Sequence, residues 1–238
     1  MRSTLERAVQ TSPLGAAGSA YLEARGLLEV ASALRIGEVS ATPDPTLARY
    51  AGRLVVPSLS ARGTVTHITF RCMEDECEGH PKYLHWQGLD TRLYNVAAVD
   101  SDESTLHICE GQLDAATLVA AGLPAIGVPG AQSWPAHGHR LLQGFDRVLF
   151  WADRDDKGAS MLLFERIRQR TPHLELVHLP DGHDVNSFYV QQGRDALLAL
   201  VDGVVGEDSY TGSTGEDEVL QDVEKGEHYD ELGERIPF

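Results

Sequence analysis

The chain is poor in cysteine, poor in basic residues and free of long apolar runs. Its 238 residues hold three cysteines, Cys72, Cys77 and Cys109. An odd, sparse count excludes a disulfide framework and fits a reducing compartment. No apolar stretch approaches the roughly 20 residues that span a bilayer. The opening, Met1-Arg2-Ser3-Thr4-Leu5-Glu6, leads into no signal-like apolar segment. A cytoplasmic protein without membrane contact is expected. Only 20 Lys and Arg stand against 36 Asp and Glu, for a net charge of −16. That balance argues against holding nucleic acid by bulk electrostatics. Any such contact is expected to be local, metal-assisted or helped by a partner.

The charge is also uneven. Glu207 to Phe238 carries 11 acids and 2 bases, a net of −9, which leaves −7 for the other 206 residues. This segment is rich in Gly and Ser and lacks helical or strand periodicity, so residues 206–238 are expected to be a disordered acidic tail. The tail ends in the apolar triplet Ile236-Pro237-Phe238.

What is present is a set of short apolar runs that end in acids. Leu106 to Cys109 runs into Glu110-Gly111, with Asp114 beyond. Val148 to Trp151 runs into Asp153-Arg154-Asp155, with Gly158 beyond. Leu176 to Leu179 runs into Pro180-Asp181-Gly182-His183-Asp184. Helical stretches over about 113–121, 159–170 and 185–201 alternate with strands over 106–109, 125–128, 148–152 and 174–179. Such alternation predicts a parallel sheet, and ligands of these sheets bind beyond the carboxyl ends of the strands. Carboxylates crowded at that edge repel one another unless cations sit between them, which points to a Mg²⁺ site working on phosphates. Helix capping alone also favours acids at these turns. Upstream, 18–34 reads as one helix, while 53–57 and 65–70 read as paired strands joined by Ser60-Ala61-Arg62-Gly63.

Glu110-Gly111-x-x-Asp114 followed by Asp153-x-Asp155-x-x-Gly158 resembles the Toprim domain. The likeness narrows upstream. Tyr21-Leu22-Glu23-Ala24-Arg25-Gly26-Leu27, Arg35-Ile36-Gly37, Arg53 to Pro57, Phe70-Arg71, Pro81-Lys82-Tyr83-Leu84 and Leu93-Tyr94 resemble, in order, the catalytic core of bacterial and phage DnaG-type primases. Leu179 to Asn186 resembles the later acidic element of that family. The resemblance covers roughly residues 18–200. It implies an α/β fold, with a Toprim domain (a central parallel sheet flanked by helices) over 101–205, preceded by a smaller mixed α/β subdomain over 1–100. It implies a primase that makes RNA primers on single-stranded DNA from NTPs by nucleotidyl transfer.

In that reading Glu110, Asp153 and Asp155 are catalytic and bind metal, with Asp114 and Asp184 as further ligands. Mg²⁺ is the expected ion, and Mn²⁺ can substitute. Arg71 and Lys82 match basic positions that face template or nucleotide phosphate. Arg92 is expected to compensate for a basic residue missing from 87–91. No zinc module precedes residue 18 and no helicase-interacting domain follows residue 205, so a replication partner, such as a helicase or a zinc module in trans, is expected to supply these parts. The Ile236-Pro237-Phe238 tip resembles the tail of single-stranded DNA-binding proteins, which implies docking on a partner that binds such tails. The rival readings are a Toprim nuclease and a non-catalytic adaptor acting through the tail. Cys72-x4-Cys77-x2-His80-x4-His85 has a metal-like look, but its cysteines are wider apart than in common zinc sites. It is read as a polar loop, and zinc is not expected.

Overall fold

Short apolar runs become buried strands because helices cover both faces of the sheet that they form. The computed structural model describes residues 2–41, 43–74, 77, 79–130, 133–152 and 158–204. The expected tail, 206–238, with Ile236, Pro237 and Phe238, lies outside the described residues, as do Asp153 and Asp155.

The first half builds an antiparallel sheet of four strands in the order β1-β2-β3-β4: β1 Gly37–Glu38, β2 Leu54–Leu59, β3 Val65–Arg71 and β4 Tyr83–His85. β2 and β3 form the anticipated hairpin, with Val55 opposite Phe70 and Val56 opposite Thr69. Gly63 takes φ +69 in the turn, and its N–H donates to the Ser60 carbonyl at 2.8 Å. Helix α1, Arg2–Gln10, was not anticipated. It turns Leu5, Ala8 and Val9, spaced three and four apart, onto a core with Tyr50, Val55, Ile68 and Phe70.

The helix expected over 18–34 is shorter. Helix α2 spans Ala16–Glu23. The Gly26 N–H bonds the Glu23 carbonyl at 3.0 Å and the Leu27 N–H reaches back to the Leu22 carbonyl at 2.8 Å. Gly26 has φ +67 between them. These paired bonds are a Schellman closure, and the fully buried Leu22 and Leu27 bracket it. Gly26 therefore stops the helix instead of interrupting it.

The second half is the predicted parallel sheet. β5 Thr105–Cys109, β6 Ala125–Gly127, β7 Arg147–Ala152 and β8 Leu174–His178 lie in the order β6-β5-β7-β8, all parallel. Helices α3 Gln112–Ala120, α4 Ala159–Arg168 and α5 Val185–Gly203 connect or follow the strands. α5 is broken at Gly193, which takes φ +83 and ψ 175. Alternate residues separate the faces. Leu106, Ile108, Val148 and Phe150 pack with Leu163, Phe164 and Ile167 of α4. Cys109, Leu149 and Trp151 pack with Leu113 and Leu118 of α3 and with Val185 and Phe188 of α5. Coverage on both faces is why these strands read as continuous apolar runs. The second core also takes in Leu22, Leu27, Leu54 and Val56, so it continues into the first half of the chain. Tyr94 bridges to Gly127 through two backbone hydrogen bonds of 2.8 and 3.1 Å. Among the described residues no helix is long and apolar enough to cross a membrane.

Candidate functional site

The carboxyl ends of β5 and β8 and the open ends of β3 and β4 meet around a cavity of about 430 Å³. Glu110, Asp114 and Asp184 line it together with Arg25, Arg71, Lys82, Tyr83, His85, Thr69 and Asn186. Of the residues singled out from sequence, Glu110, Asp114, Asp184, Arg71 and Lys82 are thus gathered in one place. Asp153 and Asp155 follow Ala152, the last residue of β7, in the chain and lie outside the described residues. Arg92 is not brought here. It lines a second cavity, beside Arg2, Leu5 and His137, because the chain after β4 turns away toward the Tyr94 bridge.

The acidic wall is built by two strand-to-helix turns. Glu110 leaves β5, Gly111 caps α3, and Asp114 lies in the first turn of that helix. A Cβ at Gly111 would collide with the Asp114 carboxylate, so the glycine lets Asp114 fold back over the turn. The Asn186 N–H, at the start of α5, donates to Asp114 Oδ1 at 3.2 Å and ties the two turns together. Asp184 caps α5: its carboxylate accepts from the Ser187 N–H at 2.6 Å, and the Ser187 hydroxyl accepts from the Asp184 N–H at 3.0 Å. The capping role is therefore realised at Asp184, while its exposed carboxylate still lines the cavity.

The cationic wall is held by phenols instead of carboxylates. Arg71, 8% exposed at the end of β3, donates from Nε to the Tyr21 hydroxyl and from Nη1 to the Tyr83 hydroxyl. Arg25 stacks on Tyr21 at 4.4 Å from the ring centroid, and Lys82 Nζ lies 5.9 Å from that of Tyr83. Among the described residues none of these three cations is in an ion pair. Two guanidiniums fastened by neutral groups, with the exposed Lys82 ammonium beside them, keep their charge available for an anion. Burial pushes the Tyr83 hydroxyl above the ordinary tyrosine range, with nearby Arg71 pulling it back and the Asp114 charge adding to the rise. The phenol is therefore neutral and able to hydrogen-bond.

Arg25 was not picked out as a site residue. It sits at the Schellman closure of α2, and its Nη1 donates to Asn186 Oδ1 at 3.2 Å across 161 positions. Asn186 returns a bond from Nδ2 to the Arg25 carbonyl at 3.0 Å and also meets Thr117 Oγ1 at 2.9 Å. Its signals were its place in the Tyr21–Leu27 stretch and the helix-ending glycine beside it. Gln112, the first residue of α3, reaches Thr69 Oγ1 on β3 at 3.1 Å and closes the cavity floor.

The all-oxygen donors Glu110, Asp114 and Asp184 match what a hard dication takes. Among the described residues, however, they do not bring three ligand atoms within 4.8 Å of one another; that happens at Cys72, Glu74 and His80. His85 of the Cys-His series is drawn elsewhere, with its Nδ1 at 3.3 Å from Nε2 of His67. Burial, with smaller contributions from His85 and Arg92, pushes His67 down to about 4.

Comparison with known proteins agrees with this architecture. No protein-family model matches the chain. The gene 57 protein of Mycobacterium phage D29 is 36% identical over 156 residues, which cover 64% of this chain and 99% of that protein. The DNA primase of Clostridium acetobutylicum is 25% identical over 167 residues, covering 66% of this chain, and the chain spans only 28% of that primase. Among solved structures, a DnaG primase catalytic domain bound to single-stranded DNA superposes with a TM-score of 0.69 at 22% identity, covering 84% of this chain and 77% of that one. The chain therefore belongs to the family of the phage D29 gene 57 protein, built on the fold of the DnaG-type primase catalytic core.

Proposed function

We propose that this chain is the catalytic core of a DNA primase, extending RNA primers on a single-stranded DNA template by nucleotidyl transfer. The carrying observation is that one cavity on a DnaG-type fold joins the acids Glu110, Asp114 and Asp184 to the cations Arg25, Arg71 and Lys82. Acids alone suit a hydrolase as well as a polymerase. A fixed cationic wall opposite them suits a substrate that carries a triphosphate.

Mg²⁺ would be held by Glu110, Asp153 and Asp155, with Asp114 and Asp184 as further oxygen donors, and when bound it supplies Lewis-acid stabilisation of charge on the phosphates. Arg71 and Arg25 bind phosphate oxygens through guanidinium N–H groups whose directions are set by Tyr21, Tyr83 and Asn186. Lys82, exposed at the cavity rim, adds a mobile positive charge toward the triphosphate or the template. The 3′-hydroxyl of the primer attacks the α-phosphorus, the bond to the β-phosphate oxygen breaks, and pyrophosphate leaves. The net negative charge of the chain makes template affinity dependent on a helper or on this local cationic wall.

The test is incorporation of labelled NTPs on single-stranded DNA with Mg²⁺, run beside a cleavage assay on labelled DNA. Primer products that vanish in Glu110→Gln and Asp153→Asn support the reading. Cleavage without incorporation replaces it with a nuclease. A chain active in neither assay is left with the adaptor role.

A further inference from the structure

We infer that the turn after β3 is a thiolate-type metal site for a zinc-class ion, built by Cys72, Glu74, Cys77 and His80. Cys72 is 5% exposed and directly follows Arg71. Its Sγ lies 3.2 Å from Nε2 of His80, and that same nitrogen lies 3.4 Å from Oε2 of Glu74. Metal–ligand bonds of 2.0–2.3 Å in a tetrahedron place ligand atoms roughly 3.3–3.8 Å apart. Those two distances are therefore close to that spacing, and all three ligand atoms lie within 4.8 Å of one another. Cys77, whose thiol donates to the Glu74 carbonyl at 4.0 Å, lies in the same turn but outside the three atoms gathered within 4.8 Å, and would close in as the fourth donor. Two sulfurs, one imidazole and one carboxylate are the soft and borderline donors that zinc selects over magnesium.

The sequence pattern concealed this set twice. Cys-x4-Cys is wider than common zinc pairs, and His85 stands where a fourth ligand would be sought. The structure sends His85 to His67 and brings Glu74 in its place. The location suggests what the ion does. Cys72 N–H donates to the Lys82 carbonyl at 2.9 Å, which closes the base of the connection between β3 and β4. An ion shared by Cys72 and His80 staples that connection at both ends. Arg71, Lys82 and Tyr83, immediately outside the staple, would then be held at the cavity wall. The role is structural, and it holds whether or not the cavity makes primers.

The test uses the full chain, purified under reducing conditions, freed of metal and titrated with cobalt(II) and then zinc(II). One cobalt per chain is expected, with a thiolate-to-metal charge-transfer band in the near ultraviolet and the intense visible bands of a tetrahedral site, both erased by one equivalent of zinc. Cys72→Ser and His80→Ala should weaken binding by more than about 100-fold, beyond the 10–100-fold typical of changes outside the ligand shell. His139→Ala, at a half-buried imidazole outside this turn, should leave it unchanged. Glu74→Gln, at an exposed position, guards against misfolding of the buried Cys72 variant and should weaken binding with an unaltered circular dichroism spectrum. Zinc should also slow proteolysis between residues 72 and 82. A pale octahedral cobalt spectrum, a charge-transfer band that survives Cys72→Ser, or a Cys72–Cys77 disulfide that persists in reductant would overturn the site.

Discussion

Asn186 holds Arg25 at both ends: its Oδ1 accepts from the guanidinium at 3.2 Å, and its Nδ2 donates to the Arg25 carbonyl at 3.0 Å. With Thr117 and the N–H bond to Asp114, one buried amide links α2, α3 and α5 around the cavity. Asn186→Ala leaves the Arg25 carbonyl and the Thr117 hydroxyl without this partner. Leaving such groups unsatisfied costs about 2–3 kcal/mol. The midpoint of urea unfolding should fall accordingly, with little change in the slope. Because Arg25 is also released, the KM for NTP should rise in the surviving folded protein.

The two phenols around Arg71 give a second test. Tyr21→Phe and Tyr83→Phe keep the rings that stack on cations and remove only the hydroxyls that orient the guanidinium. Each should lower kcat/KM for primer extension by about 3- to 10-fold, equivalent to roughly 0.7–1.4 kcal/mol. Arg71→Lys should cost more than either, because lysine offers no planar fork to a phosphate. Equal kinetics for Arg71→Lys and the wild type would remove Arg71 from the phosphate wall.

The parallel sheet was legible because β5 and β7 are short apolar runs followed by acids, and their burial on both faces leaves little polar alternation to confuse them. Glu110 and Asp184 were legible as neighbours because a sheet of this kind has one edge where the ends of β5 and β8 meet. The hairpin of β2 and β3 was legible from its two β-branched runs and glycine turn. β4 was not, since Tyr83-Leu84-His85 is three residues long and its pairing with Thr69 to Arg71 depends on an eleven-residue excursion. Arg25 and Asn186 were invisible as a pair because their contact spans 161 positions. The Cys-His turn was visible as a pattern, but spacing alone could not show that Glu74, and not His85, lies beside Cys72 and His80.

The end of α2 is a third prediction, and it bears on the misread helix. Gly26→Ala forces an L side chain to φ +67, and its methyl would meet the Tyr189 ring 2.7 Å away. The left-handed conformation alone costs about 1–2 kcal/mol. The variant should be destabilised by at least that amount in chemical denaturation. It should also displace Arg25, so primer extension should fall further than in a control of equal stability.

Asp184 carries two roles that substitution can separate. Asn is as good a cap as Asp, whereas Ala removes the bond to the Ser187 N–H and costs about 1 kcal/mol. Asp184→Asn should keep thermal stability and lose the negative charge. If the carboxylate serves the cavity, the Mg²⁺ concentration for half-maximal primer synthesis should rise in Asp184→Asn while the Tm holds. If it serves only as a cap, Asp184→Asn should match the wild type in both, and Asp184→Ala should differ in Tm alone.

Stability should fall with acid before the carboxylates protonate. His67 and His107 are buried and held neutral. Desolvation pushes each to about 4, with Arg147 adding to the effect at His107 and His85 at His67. An unfolded histidine titrates near 6.5. Between about 6.5 and 4 the unfolded chain therefore binds protons that the folded chain does not. The stabilisation is fully present above about 6.5 and is lost as the pH drops toward 4, at up to about 1.4 kcal/mol per pH unit for each histidine. His107 Nδ1 accepts from Trp151 Nε1 at 3.0 Å, and a glutamine carbonyl can take the same bond without titrating. His107→Gln should reduce the slope of unfolding free energy between pH 6.5 and 5 by about one proton, whatever its effect on absolute stability. Urea titrations across that range measure the slope directly, and an unchanged slope would mean that His107 is already protonated in the fold.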